Sequence, residues 1–159
     1  MSAKASLNRL QLSNFKLDVL LRITLSINEN TPVNQLLDEF RSILCDDLNI
    51  GKVLMFSYNQ KWERILMSGV HRTVAEGIRV ETDLQYYKQI TNLSVALNPY
   101  LEMFDVIIPV YHHELPIAYI IIGDIDEERA GMSPTIKHLH FIQTLANIIV
   151  VAIENRRLF

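Results

Sequence analysis

The sequence predicts an α+β domain in which helices from both ends of the chain pack on one face of an antiparallel sheet, and a segment of loop and short helix covers the other face. Two stretches rich in Val and Ile, residues 105–111 and 116–122, are separated by a short polar tip at residues 112–115. β-Branched residues favour a pleated backbone, and two such runs joined by about four residues are typical of a β-hairpin. Apolar residues spaced three and four apart near both termini indicate amphipathic helices before and after these strands.

Neither strand of this hairpin alternates apolar with polar residues. The side chains of the first strand divide into two sets, Val106, Ile108 and Val110 on one face and Ile107, Pro109 and Tyr111 on the other. Because both faces need cover, the hairpin is predicted to form the centre of a three-layer domain. Pro109 has no N–H to donate, so we expect its position to face an edge or a bulge of the sheet.

The other elements are predicted from periodicity and from turn residues. They are a helix over residues 6–28, a helix over 32–48, strands over 52–58 and 61–68, an irregular stretch over 69–102 with a short helix at 83–91, and a helix from 134 to 159. Thr31 is expected to cap the second helix, with Pro32 at its first position. Strands adjacent in sequence pair as hairpins, which makes the predicted sheet antiparallel.

The composition is that of an ordinary globular protein. The 159 residues are 49% hydrophobic and 21% charged, which suits one domain with a substantial core. The net charge of −3 provides no basic excess for nucleic acid or an anionic membrane. No apolar run reaches the ~20 residues of a membrane helix, no signal-peptide core is present, and the single cysteine, Cys45, fits a reducing compartment. We therefore expect a cytoplasmic protein that binds neither nucleic acid nor membrane.

No group of residues has the spacing of a catalytic or metal site. The histidines of the 112–115 tip are adjacent on a strand and diverge, which makes a poor metal cage. His138 and His140 lie about 200° apart on a helix, so we expect one to be partly buried and the other exposed. The acidic residues 124–128 lack the spacing of a calcium-binding loop, and Cys45 has no evident activating base. We predict no catalytic residue and no metal ligand, and the sequence identifies no cofactor, so the chain is not expected to be an enzyme.

Three stretches of the chain resemble the GAF domain, a small-molecule-sensing module of bacterial signalling proteins. Residues 18–44 (DVLLRITLSINENTPVNQLLDEFRSIL) resemble its opening helix pair, residues 105–125 (DVIIPVYHHELPIAYIIIGDI) its last two strands, and residues 140–159 (HFIQTLANIIVVAIENRRLF) its closing helix. The likeness spans nearly the whole chain, and the closing helix is its most specific part. Ala118 stands where the family often has Gly, which tightens packing at that point.

The resemblance implies one GAF-like domain over residues 1–159, in which 1–14 form a helical extension and 150–159 lead into a signalling helix. In that family the closing helix runs into an output domain, and the likeness is best to regulatory segments ahead of sporulation-type serine/threonine phosphatases, with histidine kinases as another context. Such domains pair through their terminal helices, which implies a homodimer. The residues expected to face outward at its interface are Leu10, Leu17, Leu21, Ile149 and Ile153.

The ligand pocket of the family lies between one sheet face and the irregular stretch, which here is residues 70–103. The residues predicted to line it are Phe56, His71, Tyr86, Tyr87, Tyr100 and Phe104. In an alternative interpretation these residues fill the core beneath a loop, and the shortness of the stretch favours a closed pocket. Two functions remain open, a sensor whose small-molecule ligand biases an output domain and a ligand-free dimerisation module.

Overall fold

The computed structural model describes residues 3–94, 96, 98–125 and 136–157, and places a five-stranded antiparallel sheet between two layers of cover. The helices are α1 (Ala3–Asn28), α2 (Val33–Ser42), α3 (Arg72–Glu76) and α4 (Ile136–Arg157). The strands are β1 (Ile50–Asn59), β2 (Lys61–Ser68), β3 (Thr91–Asn92), β4 (Val106–His112) and β5 (Leu115–Ile125). Single turns of π-helix lie at Ile43–Asp47 and Val80–Leu84, and a 3-10 turn at Leu101–Met103. The predicted α+β class is confirmed.

The isoleucine-rich hairpin lies at the centre of the sheet, as predicted. The strand order is β2-β1-β5-β4-β3, and Ile120 of β5 pairs with Met55 on one side and Ile108 on the other. β3 pairs with β4 at Val106 and Ile107, so Pro109 lies beyond the end of β3, one residue before a bulge in the β4–β5 ladder. Pro109 therefore occupies the edge position that its missing N–H requires.

Each face of the sheet has its own apolar core. The helix-side core joins α1, α2 and α4 to the sheet through residues that include Val19, Ile23, Leu36, Phe40, Leu44, Val53, Met55, Ile108, Ile120, Leu145 and Ile149. The cover-side core lies under the segment between β2 and β4 and consists of Leu54, Phe56, Val74, Ala75, Ile78, Val80, Leu84, Leu93, Leu101, Phe104, Ile107, Tyr119 and Ile121. The three-layer arrangement follows from strands that are apolar on both faces.

The helix predicted over residues 83–91 is wrong. The chain instead makes one π-helical turn at Val80–Leu84 and then continues without helix to β3. Leu84, Tyr87 and Ile90 have helical spacing, but Leu84 and Tyr87 pack against the cover-side core whereas Ile90 packs against the helix-side core. Apolar residues of one helix would all face the same core. Here the segment instead supplies side chains to the cores on both faces of the sheet, so it does not form a helix.

A short helix was missed in the stretch 69–81, which was expected to be irregular. Arg72–Glu76 form α3, a single helical turn that places Val74 and Ala75 in the cover-side core. The ring Nδ1 of His71 accepts a hydrogen bond from the Thr73 N–H at 3.1 Å and so caps this turn. A turn this short carries too few residues for its periodicity to be recognised in the sequence.

Two further local predictions need correction. Pro32 occupies the N-cap position of α2, so Thr31 does not cap that helix. The tip of the central hairpin is a two-residue turn, His113 and Glu114, with φ of 50° and 67°, instead of a four-residue loop. Positive φ at both central residues gives the twist that joins two antiparallel strands tightly. The predicted start of the last helix at Pro134 lies outside the described residues.

Candidate functional site

The sheet face under the β2–β4 segment is filled by apolar side chains. Phe56 and Ile121 from the sheet meet Leu84, Leu101 and Phe104 from the covering segment in the cover-side core. Every residue of this core is at most 8% exposed. The arrangement is that of a packed protein interior, where side chains interdigitate and leave little free volume.

The structure brings together only part of the predicted pocket wall. Phe56 and Phe104 are buried in the cover-side core, and Tyr87 packs against it from the edge. His71 is used as the cap of α3, and Tyr86 is 72% exposed. The fold thus gathers the apolar candidates and leaves the polar ones at the surface, so the ligand role of this set stays a prediction.

Tyr100, the remaining candidate, covers the outside of the same segment. Its ring lies against Gly77, where an added Cβ would come within 2.4 Å of two ring carbons. Asn98 fastens the segment at this point, because its side-chain amide donates to the Gly77 carbonyl at 2.9 Å and to the Asp83 carboxylate at 3.0 Å. Asp83 also accepts the Arg79 N–H at 2.8 Å. These hydrogen bonds hold parts of the cover that are distant in sequence as one layer.

Tyr119 of β5 introduces a polar group into the cover-side core, and no role was predicted for this residue from the sequence. Its side chain is 0% exposed, and its hydroxyl has no hydrogen-bond partner in the described part of the chain. Burial raises the pKa of Tyr119 far above its usual 10.0, and the nearby Tyr111 hydroxyl raises it further, although the two hydroxyls do not meet hydrogen-bond geometry. The phenol is therefore a protonated donor without an acceptor.

A row of aromatic rings crosses the sheet beside this hydroxyl. The Trp62 ring of β2 lies 5.2 Å from the Tyr119 ring at an interplanar angle of 46°, and 5.4 Å from the Tyr58 ring of β1. Tilted contacts at this separation are favourable because the ring edges are positive and the ring faces negative. The signal in the sequence was a lone tyrosine in an isoleucine-rich strand, which periodicity alone does not distinguish from another core residue.

The outer face of α1 carries a row of exposed leucines, here called the leucine stripe. Its members are Leu10, Leu17, Leu21 and Leu25, each 55–58% exposed. At about 100° per residue they lie within an arc of about 80°, on the opposite side of the helix from the buried residues Val19 and Ile23. The helix is apolar on two opposite faces, and the described part of the chain covers only the face that carries Val19 and Ile23.

The corresponding prediction for α4 is wrong. Ile149 is 0% exposed and Ile153 is 4% exposed, and both belong to the helix-side core instead of facing outward. The outward turns of α4 are formed by His140, Thr144 and Asn155. Leu10, Leu17 and Leu21 therefore remain as the predicted interface residues, and Leu25 extends the same surface.

Arg156 joins the last turns of α4 to the corner between α1 and α2. Its guanidinium donates to the carbonyl oxygen of Thr31 and, at 3.4 Å, to that of Ile27. Ile27 lies in the last turn of α1 and its carbonyl also accepts the Asn30 N–H at 3.1 Å, whereas Thr31 lies in the loop before α2. The negative end of the α1 dipole favours a cation at this corner. The two terminal helices, which were predicted to lie on one face of the sheet, are thus also tied together at one end.

The remaining polar residues do not form a reactive centre in the described ranges. His138 is buried and His140 exposed, as their spacing predicted. The rings of His112 and His113 are in edge contact, with their centroids 4.1 Å apart. Within the described residues no three His, Cys, Asp or Glu side chains come together in an arrangement suited to a metal ion. None of the helices described is both long and apolar enough to cross a membrane.

Comparisons by sequence and by structure give different answers. No protein-family model and no curated protein matches the sequence. The fold is similar to the GAF domain of a Pseudomonas syringae pv. tomato protein described as a sensor histidine kinase, at 12% identity and a TM-score of 0.66 over 96% of this chain and 94% of that one. It is also similar to the GAF domain of a Coxiella burnetii phosphoenolpyruvate-protein phosphotransferase, at 17% identity and a TM-score of 0.64 over 89% and 94%.

A third similar structure, the GAF domain of an Acinetobacter phosphoenolpyruvate-protein phosphotransferase, has 16% identity and a TM-score of 0.60 over 91% of this chain and 95% of that one. The backbones superpose over most of each domain, although few residues are identical. Because the superpositions cover nearly the whole chain, the resemblance is confirmed at the level of architecture: this protein has the fold of a GAF domain.

Proposed function

We propose that this chain is a non-catalytic regulatory domain of a bacterial signal-transduction protein, and that two copies associate through the leucine stripe to control an output domain in the cytoplasm. Similar folds occur in proteins described as a sensor histidine kinase and as phosphoenolpyruvate-protein phosphotransferases, which supports a signalling context. The observation that carries the proposal is the row of leucines on α1. A contiguous row of exposed leucines on a helix is typical of a surface that another molecule covers.

The size of the leucine stripe sets the strength of the association. Each leucine is a little more than half exposed, so its complete burial contributes about 1 kcal/mol if full burial is worth about 1.5–3 kcal/mol. The leucines of two copies sum to about 8 kcal/mol, against about 4–15 kcal/mol for lost translation, rotation and side-chain freedom. We therefore expect a concentration-dependent equilibrium between monomer and dimer, which is suited to regulation.

The test is the molar mass of the wild-type chain and of the double variant Leu17→Glu, Leu21→Glu by light scattering over a range of concentrations. The wild-type mass should rise toward twice the chain mass, and that of the variant should stay at the monomer value. Leu115→Glu is the matched control, because Leu115 is 68% exposed but lies at the start of β5 and not on α1. A wild-type chain that stays monomeric, or a double variant that associates like the wild type, rules out this interface.

A second candidate function, binding of a small molecule beneath the cover, is favoured by the Tyr119 hydroxyl. A buried donor without an acceptor costs about 1–3 kcal/mol, and a ligand acceptor atom at that position would remove this penalty. The neighbouring Trp62 and Tyr58 rings provide an aromatic wall. The ligand class that fits is a flat, largely apolar molecule with one hydrogen-bond acceptor, which enters when the segment carrying α3 moves away from the sheet.

Thermal-shift screening tests this second candidate. A ligand that binds the native state at a hundred times its Kd stabilises it by about 2.7 kcal/mol, which is readily visible as a rise in Tm. Tyr119→Phe should reduce the shift produced by any hit, whereas Tyr58→Phe should leave it unchanged because the Tyr58 ring is retained at an exposed position. If nucleotides, flat heterocycles and haem all fail to raise Tm, the domain does not act as a sensor of these classes.

The proposed signal passes through the terminal helices. A ligand or a partner copy that favours one arrangement of α1 also biases α4, since Arg156 ties the end of α4 to the carbonyls of Ile27 and Thr31. Such a signal is a shift between two populated arrangements, and its size is limited by the difference in binding free energy between them. Residues 150–159 would then carry the change into the output domain.

A further inference from the structure

His138 is a buried titratable residue for which neither proposed function has a role. It lies in the first turns of α4 and is 4% exposed. Neither Nδ1 nor Nε2 of its ring has a hydrogen-bond partner in the described part of the chain. A neutral imidazole carries one N–H donor and one acceptor, so this ring is buried with both of its polar functions unsatisfied. Protonation would turn both nitrogens into donors and add a charge.

Protonation of His138 is opposed by α1. The ammonium of Lys16 lies 5.7 Å from the centroid of the Phe141 ring, one helical turn from His138, and the Phe15 ring approaches the same phenylalanine at 6.5 Å between centroids. The pKa of His138 is lowered below the usual 6.5, mainly because the ring is buried and secondly because of the positive charge of Lys16. On α4 the nearest titratable group whose side chain the structure describes is His140, which is exposed.

An imidazolium at this place therefore has two unfavourable features, a dry environment and a like charge on the neighbouring helix. Both would be relieved together if the part of α1 up to Leu17, here called its first half, separated from α4, because Lys16 would then move away and water could reach the ring. Farther along α1, the buried residues Val19 and Ile23 hold the second half on the helix-side core. The helix can thus open at one end without loss of the fold.

We propose that His138 makes the docking of the first half of α1 on α4 depend on pH, so that this part of α1 is packed when the imidazole is neutral and is released when it is protonated. The sign follows from linkage. A histidine whose pKa is lowered in the closed state binds fewer protons there than in the open state, so the closed state weakens as pH falls through 6.5 and levels off below the lowered pKa.

The leucine stripe gives this opening a consequence. Leu10 and Leu17 lie on the part of α1 that would be released, whereas Leu21 and Leu25 lie beside the anchored residues. Weak acidification would therefore divide the stripe and shift the monomer–dimer equilibrium. This last step rests on the proposed function, but the release of α1 does not, and the two are measured separately.

Hydrogen exchange of the α1 amides tests the release in the wild-type chain. After correction for intrinsic exchange, protection of the first half of α1 should fall at about pH 5.5 relative to about pH 7.5, with an opening constant that rises up to about tenfold per pH unit. His138→Leu should abolish this pH response, and His140→Leu, two residues away and exposed, should keep it. Equal responses in wild type and His138→Leu would refute the proposal, as would greater protection at low pH.

Two measurements keep the test decisive if His138→Leu does not fold. The pKa of the His138 ring in the wild-type chain, followed by its NMR shift, should lie below 6.5. Lys16→Met keeps the apolar stem and removes the charge, so the pKa of His138 in the closed state should rise and α1 should open less at pH 5.5 than in the wild type. Equal or greater opening in this variant contradicts the role of Lys16. Light scattering at both pH values then reports on association alone, so a chain that opens but never dimerises overturns the proposed function and leaves the pH response intact.

Discussion

Replacing Tyr119 by Phe should stabilise this protein, although nearly all changes inside a core destabilise it. The substitution removes one hydroxyl that is buried without an acceptor and keeps the ring that contacts Trp62 at 5.2 Å. An unsatisfied buried hydroxyl costs about 1–3 kcal/mol, and removal of the oxygen leaves a void of about one atom that offsets part of the gain. We expect the free energy of unfolding to rise by about 1–2 kcal/mol.

Urea denaturation and thermal unfolding measure this change. For a domain of this size 1 kcal/mol corresponds to about 2–4 °C, so Tm should rise by about 3–6 °C. Tyr58→Phe removes a hydroxyl from an exposed tyrosine of the same aromatic row and should leave Tm within about 1 °C. A loss of 1 kcal/mol or more in Tyr119→Phe would mean that the hydroxyl has a partner, and would refute the view that this core is dry and closed.

Three further predictions concern other parts of the chain. Arg156→Ala should lower the free energy of unfolding by about 2 kcal/mol in urea denaturation, because the carbonyls of Ile27 and Thr31 lose a charged donor. Arg156→Lys should lose only about half of this free energy, since an ammonium keeps the charge. Equal losses in the two variants would argue against a contact of the guanidinium with both carbonyls. Gly69→Ala should lower the free energy of unfolding by about 2 kcal/mol or more, since Gly69 has φ of 68° and an added Cβ would lie 1.9 Å from the Gly51 carbonyl oxygen. An unchanged free energy of unfolding in urea denaturation would contradict this backbone geometry. Above pH 10 the wild-type chain should lose up to about 1.4 kcal/mol per pH unit because Tyr119 ionises only when unfolded, and Tyr119→Phe should show a shallower loss; parallel curves would place the titration elsewhere.

The sequence predicted the centre of the fold because local and global requirements agree there. Residues 105–111 and 116–122 are β-branched, which favours strands, and apolar on both faces, which requires cover on both faces. β4 and β5 satisfy both conditions, with Ile108 and Ile120 in the helix-side core and Ile107 and Ile121 in the cover-side core. The second hairpin and the terminal helices followed from their periodicity in the same way.

The candidate site was only partly predictable. Phe56 and Phe104 were expected under the irregular stretch and lie there, but His71, Tyr86 and Tyr100 were chosen by residue type and the fold places them at or near the surface. Tyr119 was overlooked because an alternating pattern assigns a side chain to a face and gives no account of its hydrogen bonds. Whether a buried hydroxyl has an acceptor depends on strands and segments that are distant in sequence.

What the sequence determined by itself is the positions of the two hairpins and of the helices near both ends, and that the sheet needs two covers, since periodicity and β-branching act over a few residues. The tertiary structure decided the direction of each apolar face. Ile149 and Ile153 face inward and the leucines of α1 face outward, although both helices carry apolar residues on more than one side. It also decided that His138 is buried beside Lys16. The physical reason is that burial depends on what packs against a helix, and the neighbours come from parts of the chain more than a hundred residues apart.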